Sequence, residues 1–257
     1  MNQTIYLASD YDGTFKQGSI RDEDKEAIRR FRSRGGRFGL VTGRSLSMLE
    51  QEFARYDMQM DFIIACTGAV IFDQDLNVIF KKPMDTATAW ELETEMERRP
   101  AGLCGMASLR KHSRLYLHPS LAASRDHNPE GLPQYPREAV EQDGDIISMF
   151  LRGFDAEDSQ ALYNYLTAAY KDRLDFHYNG GAIDVTAPGV SKTEGVRALA
   201  RLHPDSRVCV IGDEMNDLDM IRAFQGFSVT TGNEAVKQAA SRVFDHISDC
   251  IDYLIRE

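Results

Sequence analysis

Short apolar runs alternate with amphipathic stretches over the first third of the chain. The runs cover residues 5–9, 37–41 and 62–66, and each is typical of a buried strand. Between them, residues 21–33 and 46–56 carry apolar side chains at helical spacing. Strand, helix, strand, helix and strand in this order predict a parallel sheet built from right-handed crossovers.

The pattern changes after residue 70. Two apolar triplets, 70–72 and 78–80, flank a polar turn and predict a β-hairpin. Beyond it the predicted elements are helices over 86–98 and 156–170, strands over 114–118 and 146–151, and a second hairpin over 174–178 and 182–185. Because this stretch lacks the parallel α/β alternation, we interpret residues 84–187 as an inserted α+β domain.

The α/β alternation returns near residue 189. The predicted elements there are helices over 191–202, 218–224, 234–240 and 249–255, and strands over 208–211, 227–229 and 242–244. The predicted fold is therefore α/β, with a Rossmann-like parallel-sheet core over 1–83 and 188–257 and the α+β domain between them.

Composition and charge exclude some classes of partner. The 257 residues are 42% hydrophobic and 27% charged, which is ordinary for a globular protein, but the net charge is −10. An acidic chain is a poor partner for nucleic acid or an anionic membrane. The four cysteines are scattered without paired spacing, which favours reduced thiols in the cytoplasm. We recognise no signal segment and no apolar run of bilayer length.

Three of the apolar strands end in polar clusters. The clusters are Asp10-x-Asp12-Gly-Thr, Thr42-Gly43-Arg, and Gly-Asp213-x-x-Asn216-Asp217. Because parallel strands share a direction, the three clusters are expected to meet along one edge of the sheet, where open α/β sheets bind their ligands. A lysine, Lys192, opens the helix that follows the inserted domain, and a cation there works against the helix dipole.

The side chains of these clusters favour phosphoryl chemistry. Asp10, Asp12 and Asp213, with backbone carbonyls and water, form an all-oxygen site that suits Mg²⁺ better than zinc. Opposite the metal, an anion could bind the Lys192 side chain, the Thr42 hydroxyl and the backbone amide of Gly43. One aspartate can attack phosphorus to give an aspartyl phosphate, and an acid two residues on can protonate the leaving oxygen.

The clusters, in this order and with an insertion before the lysine, resemble the haloacid dehalogenase (HAD) superfamily of phosphatases. The similarity is to the Cof-type subfamily, whose C2-type (IIB) cap domain follows the third strand, and it covers the whole chain. The resemblance implies a HAD core domain with an inserted cap, Asp10 as nucleophile and Asp12 as general acid and then base. It further implies phosphate-holding roles for Thr42 and Lys192, metal ligands from Asp10, Asp213 and the Asp12 carbonyl, and positioning roles for Asn216 and Asp217.

One departure from the family pattern lies near the mouth of the site. Thr67 stands where the family commonly has Asn before Gly-Ala. This change removes no catalytic group, so it bears on recognition of the leaving group rather than on the chemistry.

The chain is therefore expected to be a cytoplasmic, Mg²⁺-dependent phosphatase of small phosphorylated metabolites, with sugar phosphates as the favoured class. A monomer or weak homodimer is expected, with neither nucleic acid nor membrane as a partner. The alternatives are phosphohexomutase-type transfer, a non-catalytic ligand-binding module with the same fold, and a metal-dependent glycosyltransferase. The last leaves Lys192 and the third cluster unexplained.

Overall fold

The computed structural model describes residues 3–99, 102–121 and 135–257. In chain order, the strands in these residues are β1 Ile5–Ser9, β2 Arg37–Val41, β3 Phe62–Ala65, β4 Val70–Asp73, β5 Val78–Lys81, β6 Leu103–Ala107, β7 His112–Leu117, β8 Ser148–Arg152, β9 Asp175–Asn179, β10 Ala182–Thr186, β11 Arg207–Gly212, β12 Gln225–Val229 and β13 Arg242–Phe244. The α-helices are α1 Asp22–Ser33, α2 Leu46–Tyr56, α3 Thr86–Arg98, α4 Arg137–Gln142, α5 Ala156–Ala169, α6 Lys192–Leu202, α7 Leu218–Ala223, α8 Glu234–Ala239 and α9 Ile247–Arg256.

The larger sheet contains eight strands in the order β13-β12-β11-β1-β2-β3-β4-β5. The first six run parallel, and β4 pairs with β3 in the antiparallel sense. Strand β1 pairs with β11 from Ile5↔Arg207 to Ser9↔Ile211. The predicted parallel sheet, extended at one edge by a hairpin, is confirmed.

The central strands of this sheet are buried along most of their length. Leu7, Ala8, Leu40, Ile63 and Val210 are all buried, and they come from β1, β2, β3 and β11. A parallel strand that is covered on both faces needs a nearly continuous apolar run rather than an alternating one. The apolar runs in the sequence therefore form the interior of the sheet, and the polar residues that end them lie at its edge.

The smaller sheet contains five strands in the order β7-β6-β8-β10-β9. All neighbouring strands in it are antiparallel. Helix α5 packs on this sheet through aromatic contacts, since Tyr163 meets Tyr178 and Tyr170 meets Phe176 with ring centroids 5.6 and 6.4 Å apart. This part of the chain has the predicted α+β architecture.

Contacts between Cα atoms divide the chain into two compact units. The first contains Met1–Thr42, Met58–Phe80 and Ser191–Glu257, and the second contains Gly43–Asp57 and Lys81–Val190. Helix α2 thus groups with the second unit, whereas the predicted core domain included it. The domain boundaries at 1–83 with 188–257, and at 84–187, stay a prediction.

Several elements have the bounds expected from the sequence, and others begin elsewhere. Strand β2, helices α2 and α3, and strand β13 match their predicted bounds. The strand predicted over 114–118 begins earlier, at His112, and the strand predicted over 146–151 is observed from Ser148 to Arg152. These shifts of two residues leave the topology unchanged.

Helix length bears on whether the chain could cross a membrane. The longest described helix, α5, has 14 residues, fewer than a bilayer span requires. Across the described ranges, no helix has both the length and the apolar character of a membrane span.

Candidate active site

The carboxyl ends of β1, β2 and β11 lie side by side on one edge of the eight-stranded sheet. Strand β1 is hydrogen-bonded in parallel register to both neighbours, and the backbone N–H of Asp10 donates to the Ile211 carbonyl at 2.9 Å. Since the strands share a direction, the residues that follow them leave the sheet at the same edge. These residues are Asp10, Thr42 and Asp213.

Lys192 is the buried cation of this edge. Its Nζ donates to Asp10 Oδ1 at 2.6 Å and to Asp217 Oδ1 at 2.7 Å, and at most 8% of any of the three side chains is exposed. The lysine is the first residue of α6, and Ser191 caps this helix by accepting a hydrogen bond from the Glu194 N–H at 3.2 Å. Because a cation at this end opposes the helix dipole, the two carboxylates account for its position.

Burial and charge act against each other in the Asp10–Lys192 pair. Burial raises the pKa of Asp10 well above its usual range, and the Lys192 ammonium opposes that rise. Burial alone would lower the pKa of Lys192, but the carboxylates of Asp10 and Asp217 outweigh it and raise that pKa above its ordinary value. The two groups are therefore linked, since the Lys192 ammonium favours the ionised form of Asp10 and the Asp10 carboxylate favours the charged form of Lys192.

Asp213 packs against Thr14 and Gly13 of the turn that follows β1. Thr14 Oγ1 donates to Asp213 Oδ1 at 2.6 Å in a buried hydrogen bond. Gly13 has a φ of 87°, and a Cβ atom at this position would lie 2.2 Å from Asp213 Oδ2. The turn therefore requires glycine both for its backbone conformation and for the space that the carboxylate occupies. Burial raises the pKa of Asp213, and the Thr14 hydrogen bond opposes this shift.

Asp217 connects Lys192 to the loop that carries Asp213. Its Oδ1 accepts from Lys192, and its Oδ2 accepts from the backbone N–H groups of Asp213 and Glu214, each at 3.1 Å. The side chain is fully buried. Asp217 therefore holds Lys192 and the loop of Asp213 in position, because breaking any of these hydrogen bonds would leave a buried polar group without a partner.

Three carboxylates lie close enough together to surround a cation. One oxygen each from Asp10, Asp213 and Asp217 lies within 4.8 Å of the others. An all-oxygen, anionic donor set suits a hard divalent cation. The hydrogen bonds of Asp217 use both of its oxygens, whereas those of Asp10 and Asp213 use Oδ1. The side chains of Asp10 and Asp213, each with one oxygen outside these hydrogen bonds, therefore fit a divalent cation.

The remaining predicted site residues lie in different settings. Asp12 and Asn216 are exposed, and the group of three close carboxylates in the described residues does not include the Asp12 side chain. Thr42 is buried, and its carbonyl accepts a hydrogen bond from the Thr67 N–H at 2.9 Å. Gly43 groups with the second unit. The roles given to Asp12, Thr42, Gly43 and Asn216 stay predictions.

Thr14 is a site residue to which the sequence analysis gave no role. The available signal was its place in Asp-x-Asp-Gly-Thr, directly after the glycine turn. Its partner, Asp213, lies 199 residues away along the chain, so the hydrogen bond could not be found from local sequence.

A family comparison agrees with this geometry. Residues 7–250 match the family described as haloacid dehalogenase-like hydrolases. The chain belongs to this family. The match extends from the first acidic cluster to the third, so it includes every part of the sequence that contributes a carboxylate or the lysine to this site.

Individual relatives of this HAD-like hydrolase are named as phosphatases. It is 26% identical to the 5-amino-6-(5-phospho-D-ribitylamino)uracil phosphatase YcsE of Bacillus subtilis (strain 168), over 97% of this chain and 94% of the relative. Among solved structures, it is similar to a HAD/COF-like hydrolase from Plasmodium vivax, with a TM-score of 0.80, 18% identity, and coverage of 99% of this chain and 96% of that chain.

A second similar structure is named as a member of subclass IIB, the subclass predicted from the sequence. The HAD subclass IIB sugar phosphatase BT4131 has a TM-score of 0.76 and 21% identity, with coverage of 98% of this chain and 99% of that chain. At this identity the likeness concerns the fold. Together with the family match and the names of the relatives, it confirms the predicted HAD superfamily, Cof-type architecture and phosphatase class.

Proposed function

We propose that this hydrolase is a Mg²⁺-dependent phosphomonoester hydrolase that acts on small phosphorylated metabolites through an aspartyl-phosphate intermediate on Asp10. The observation that carries the proposal is the buried ammonium of Lys192, which donates to both Asp10 and Asp217. A buried cation beside a candidate nucleophile has a ready use, since it can attract an anionic substrate and stabilise the charge that develops on it.

Two residues carry out the proposed covalent steps. In the first, a carboxylate oxygen of Asp10 bonds to phosphorus, the bond from phosphorus to the ester oxygen breaks, and Asp12 gives its proton to that oxygen. In the second, water bonds to the phosphorus of the aspartyl phosphate and gives a proton to Asp12, while the bond from phosphorus to the Asp10 oxygen breaks. Inorganic phosphate leaves, and the Asp10 carboxylate is restored.

The other side chains bind and orient the phosphate in this proposal. Lys192, the Thr42 hydroxyl and the Gly43 N–H hold its oxygens, Asn216 contributes a further polar contact, and Asp217 holds Lys192 in place. Asp10 and Asp213, with the Asp12 carbonyl, would hold the metal. A bound Mg²⁺ would supply positive charge against the phosphate oxygens.

The proposed substrate is a phosphate ester of a sugar or sugar alcohol. The name of the Bacillus subtilis relative describes a phosphate on a ribityl chain, and the subclass IIB structure is named a sugar phosphatase. Both names describe substrates with a phosphate on a polyhydroxylated carbon chain. We place the enzyme in the cytoplasm, since its four cysteines are buried and free, and we expect a monomer or weak homodimer.

The test is release of inorganic phosphate from a panel of sugar, sugar-alcohol and nucleoside phosphates, with Mg²⁺ or with EDTA. Asp10→Asn preserves the shape of the side chain but removes the nucleophile, and Asp219→Asn on the exposed side of α7 is the matched control. We expect Mg²⁺-dependent release that falls at least about 100-fold in Asp10→Asn and is unchanged in Asp219→Asn. Unchanged release by Asp10→Asn would refute the mechanism, and isomerised ester without free phosphate would favour the mutase.

A further inference from the structure

Three consecutive residues after β3 adopt left-handed backbone conformations. The φ angles are 49° at Cys66, 59° at Thr67 and 105° at Gly68. Glycine tolerates this region, but a β-branched residue with positive φ is a genuine outlier. Cys66 and Thr67 are also buried. Such strain persists only where the surrounding structure enforces it, and it is commonly found next to functional sites.

This left-handed turn, residues 66–68, contacts both predicted phosphate-holding elements. On one side, the Thr67 N–H donates to the carbonyl of Thr42 at 2.9 Å. On the other side, Gly68 lies so close to the residue before Lys192 that a Cβ on Gly68 would be 2.1 Å from the Ser191 carbonyl oxygen. The turn therefore lies between the end of β2 and the start of α6.

The contact with α6 is close along more than one residue. A Cβ on Gly195 would lie 2.6 Å from the Ile64 side chain and 2.8 Å from the Cα of Gly68. Both glycines thus let the first turn of α6 pack directly on the end of β3 and on the left-handed turn. A change in the shape of the turn must move either Thr42 or the start of α6.

We infer that Thr67 is a positioning residue, whose left-handed turn fixes the separation between Thr42 and the Lys192 end of α6. This rests on the proposed function, in which Thr42 and Lys192 hold the phosphate. Packing against Thr42 and Ser191 enforces the left-handed shape of the turn. A side chain at position 67 leaves the backbone fewer alternative conformations than glycine would, so the enforced shape is held more narrowly. The strain at Thr67 is maintained by the contacts of the turn with Thr42 and with Ser191, the residue before Lys192.

The chain offers a matched control for backbone strain. Leu76 also has a left-handed backbone, with a φ of 61°, but it lies in the polar turn between β4 and β5. Replacing either residue by glycine relieves the same kind of strain. Only the turn at Thr67 is placed between Thr42 and Ser191, so only its replacement is expected to change phosphate binding.

The experiment compares Thr67→Gly, Thr67→Asn and Leu76→Gly with the wild-type protein. The affinity for inorganic phosphate in the presence of Mg²⁺ is measured by calorimetry, KM and kcat are measured with the best ester of the panel, and thermal unfolding reports folding. We expect Thr67→Gly to raise both Kd for phosphate and KM about fivefold or more, with kcat changed less than about twofold. Asparagine accepts left-handed φ, so Thr67→Asn is expected to stay within about twofold, as is Leu76→Gly.

Four results would overturn the inference. They are unchanged phosphate affinity in Thr67→Gly, an equal loss in Leu76→Gly, an equal loss in Thr67→Asn, and a wild-type protein that does not bind phosphate. A wild-type protein that binds phosphate but hydrolyses no ester refutes the proposed function alone. The phosphate affinities of the variants then still decide the role of Thr67.

Discussion

Replacing Asp217 by asparagine tests the buried hydrogen-bond network of the site most directly. The wild-type carboxylate accepts one bond from the Lys192 ammonium through Oδ1, and two from backbone N–H groups through Oδ2. Asparagine has nearly the same shape but only one accepting oxygen, since its nitrogen can only donate. Whichever way the amide is turned, one side of it places a donor against a donor.

The size of the effect follows from the better of the two orientations. With its oxygen toward the backbone of Asp213 and Glu214, the amide keeps two bonds and turns its NH₂ group toward Lys192, 2.7 Å away in the wild type. A hydrogen bond to a charged group contributes about 1.5–3 kcal/mol, and the ammonium is left with Asp10 as its one remaining carboxylate partner. We therefore expect Asp217→Asn to lower the free energy of unfolding by about 2–4 kcal/mol.

Urea denaturation at neutral pH with EDTA measures this free energy without interference from bound cations. The control, Asp219→Asn, removes the same charge from an exposed position on α7 and is expected to change stability by less than about 0.5 kcal/mol. If Asp217→Asn unfolds within about 0.5 kcal/mol of the wild type, with the same m-value, the three bonds do not contribute as described. The same variant is expected to bind phosphate more weakly, because Lys192 loses its support.

Three further predictions concern the first turn, the metal and pH. Thr14→Val removes the hydroxyl that binds Asp213 and is expected to lower the free energy of unfolding by about 1–2 kcal/mol in the same urea assay. Thr14→Ser keeps a hydroxyl and is expected to retain most of the wild-type free energy of unfolding. Mg²⁺ is expected to raise the thermal unfolding midpoint of the wild type but not of Asp213→Asn, measured by circular dichroism, and equal shifts would argue against Asp213 as a ligand. Burial lowers the pKa of His177 below 6.5, so the unfolded chain binds this proton more tightly, and the stability that neutral His177 supplies above about pH 6.5 is lost as pH falls. His177→Gln is therefore expected to lose less stability than the wild type between about pH 7.5 and 5.5 in urea titrations, and identical pH profiles would contradict this.

The sequence was sufficient where local pattern and strand direction decide the outcome. The apolar run of β1 ends at Asp10, and the run of β11 ends before Asp213, so their meeting at one edge followed from a parallel sheet. Lys192 could be singled out because a cation at a helix start has no local justification. Its position between two buried carboxylates supplies the reason that the helix itself does not.

Features that depend on contacts distant in sequence were not predictable in the same way. Strand β6 lacks an alternating pattern because all five of its residues are buried, and helix α4 has only six residues, too few for a helical period to be recognised. The left-handed conformation of Thr67 is opposed by the residue's own preference. It follows from packing against Thr42 and Ser191, which no short stretch of sequence records.

The pairing of β1 with β11 has a consequence for how the chain is made. Residues 5–9 emerge from the ribosome before residues 207–211, so one edge of β1 has no partner until residues 207–211 are synthesised. At about 5–20 residues per second, that edge stays open for roughly 10–40 s. A nascent chain in this interval exposes an unpaired apolar strand, which is the kind of surface that chaperones bind and that aggregates form on. The protein should therefore be most vulnerable to misassembly during synthesis, and premature termination before residue 207 should yield insoluble fragments.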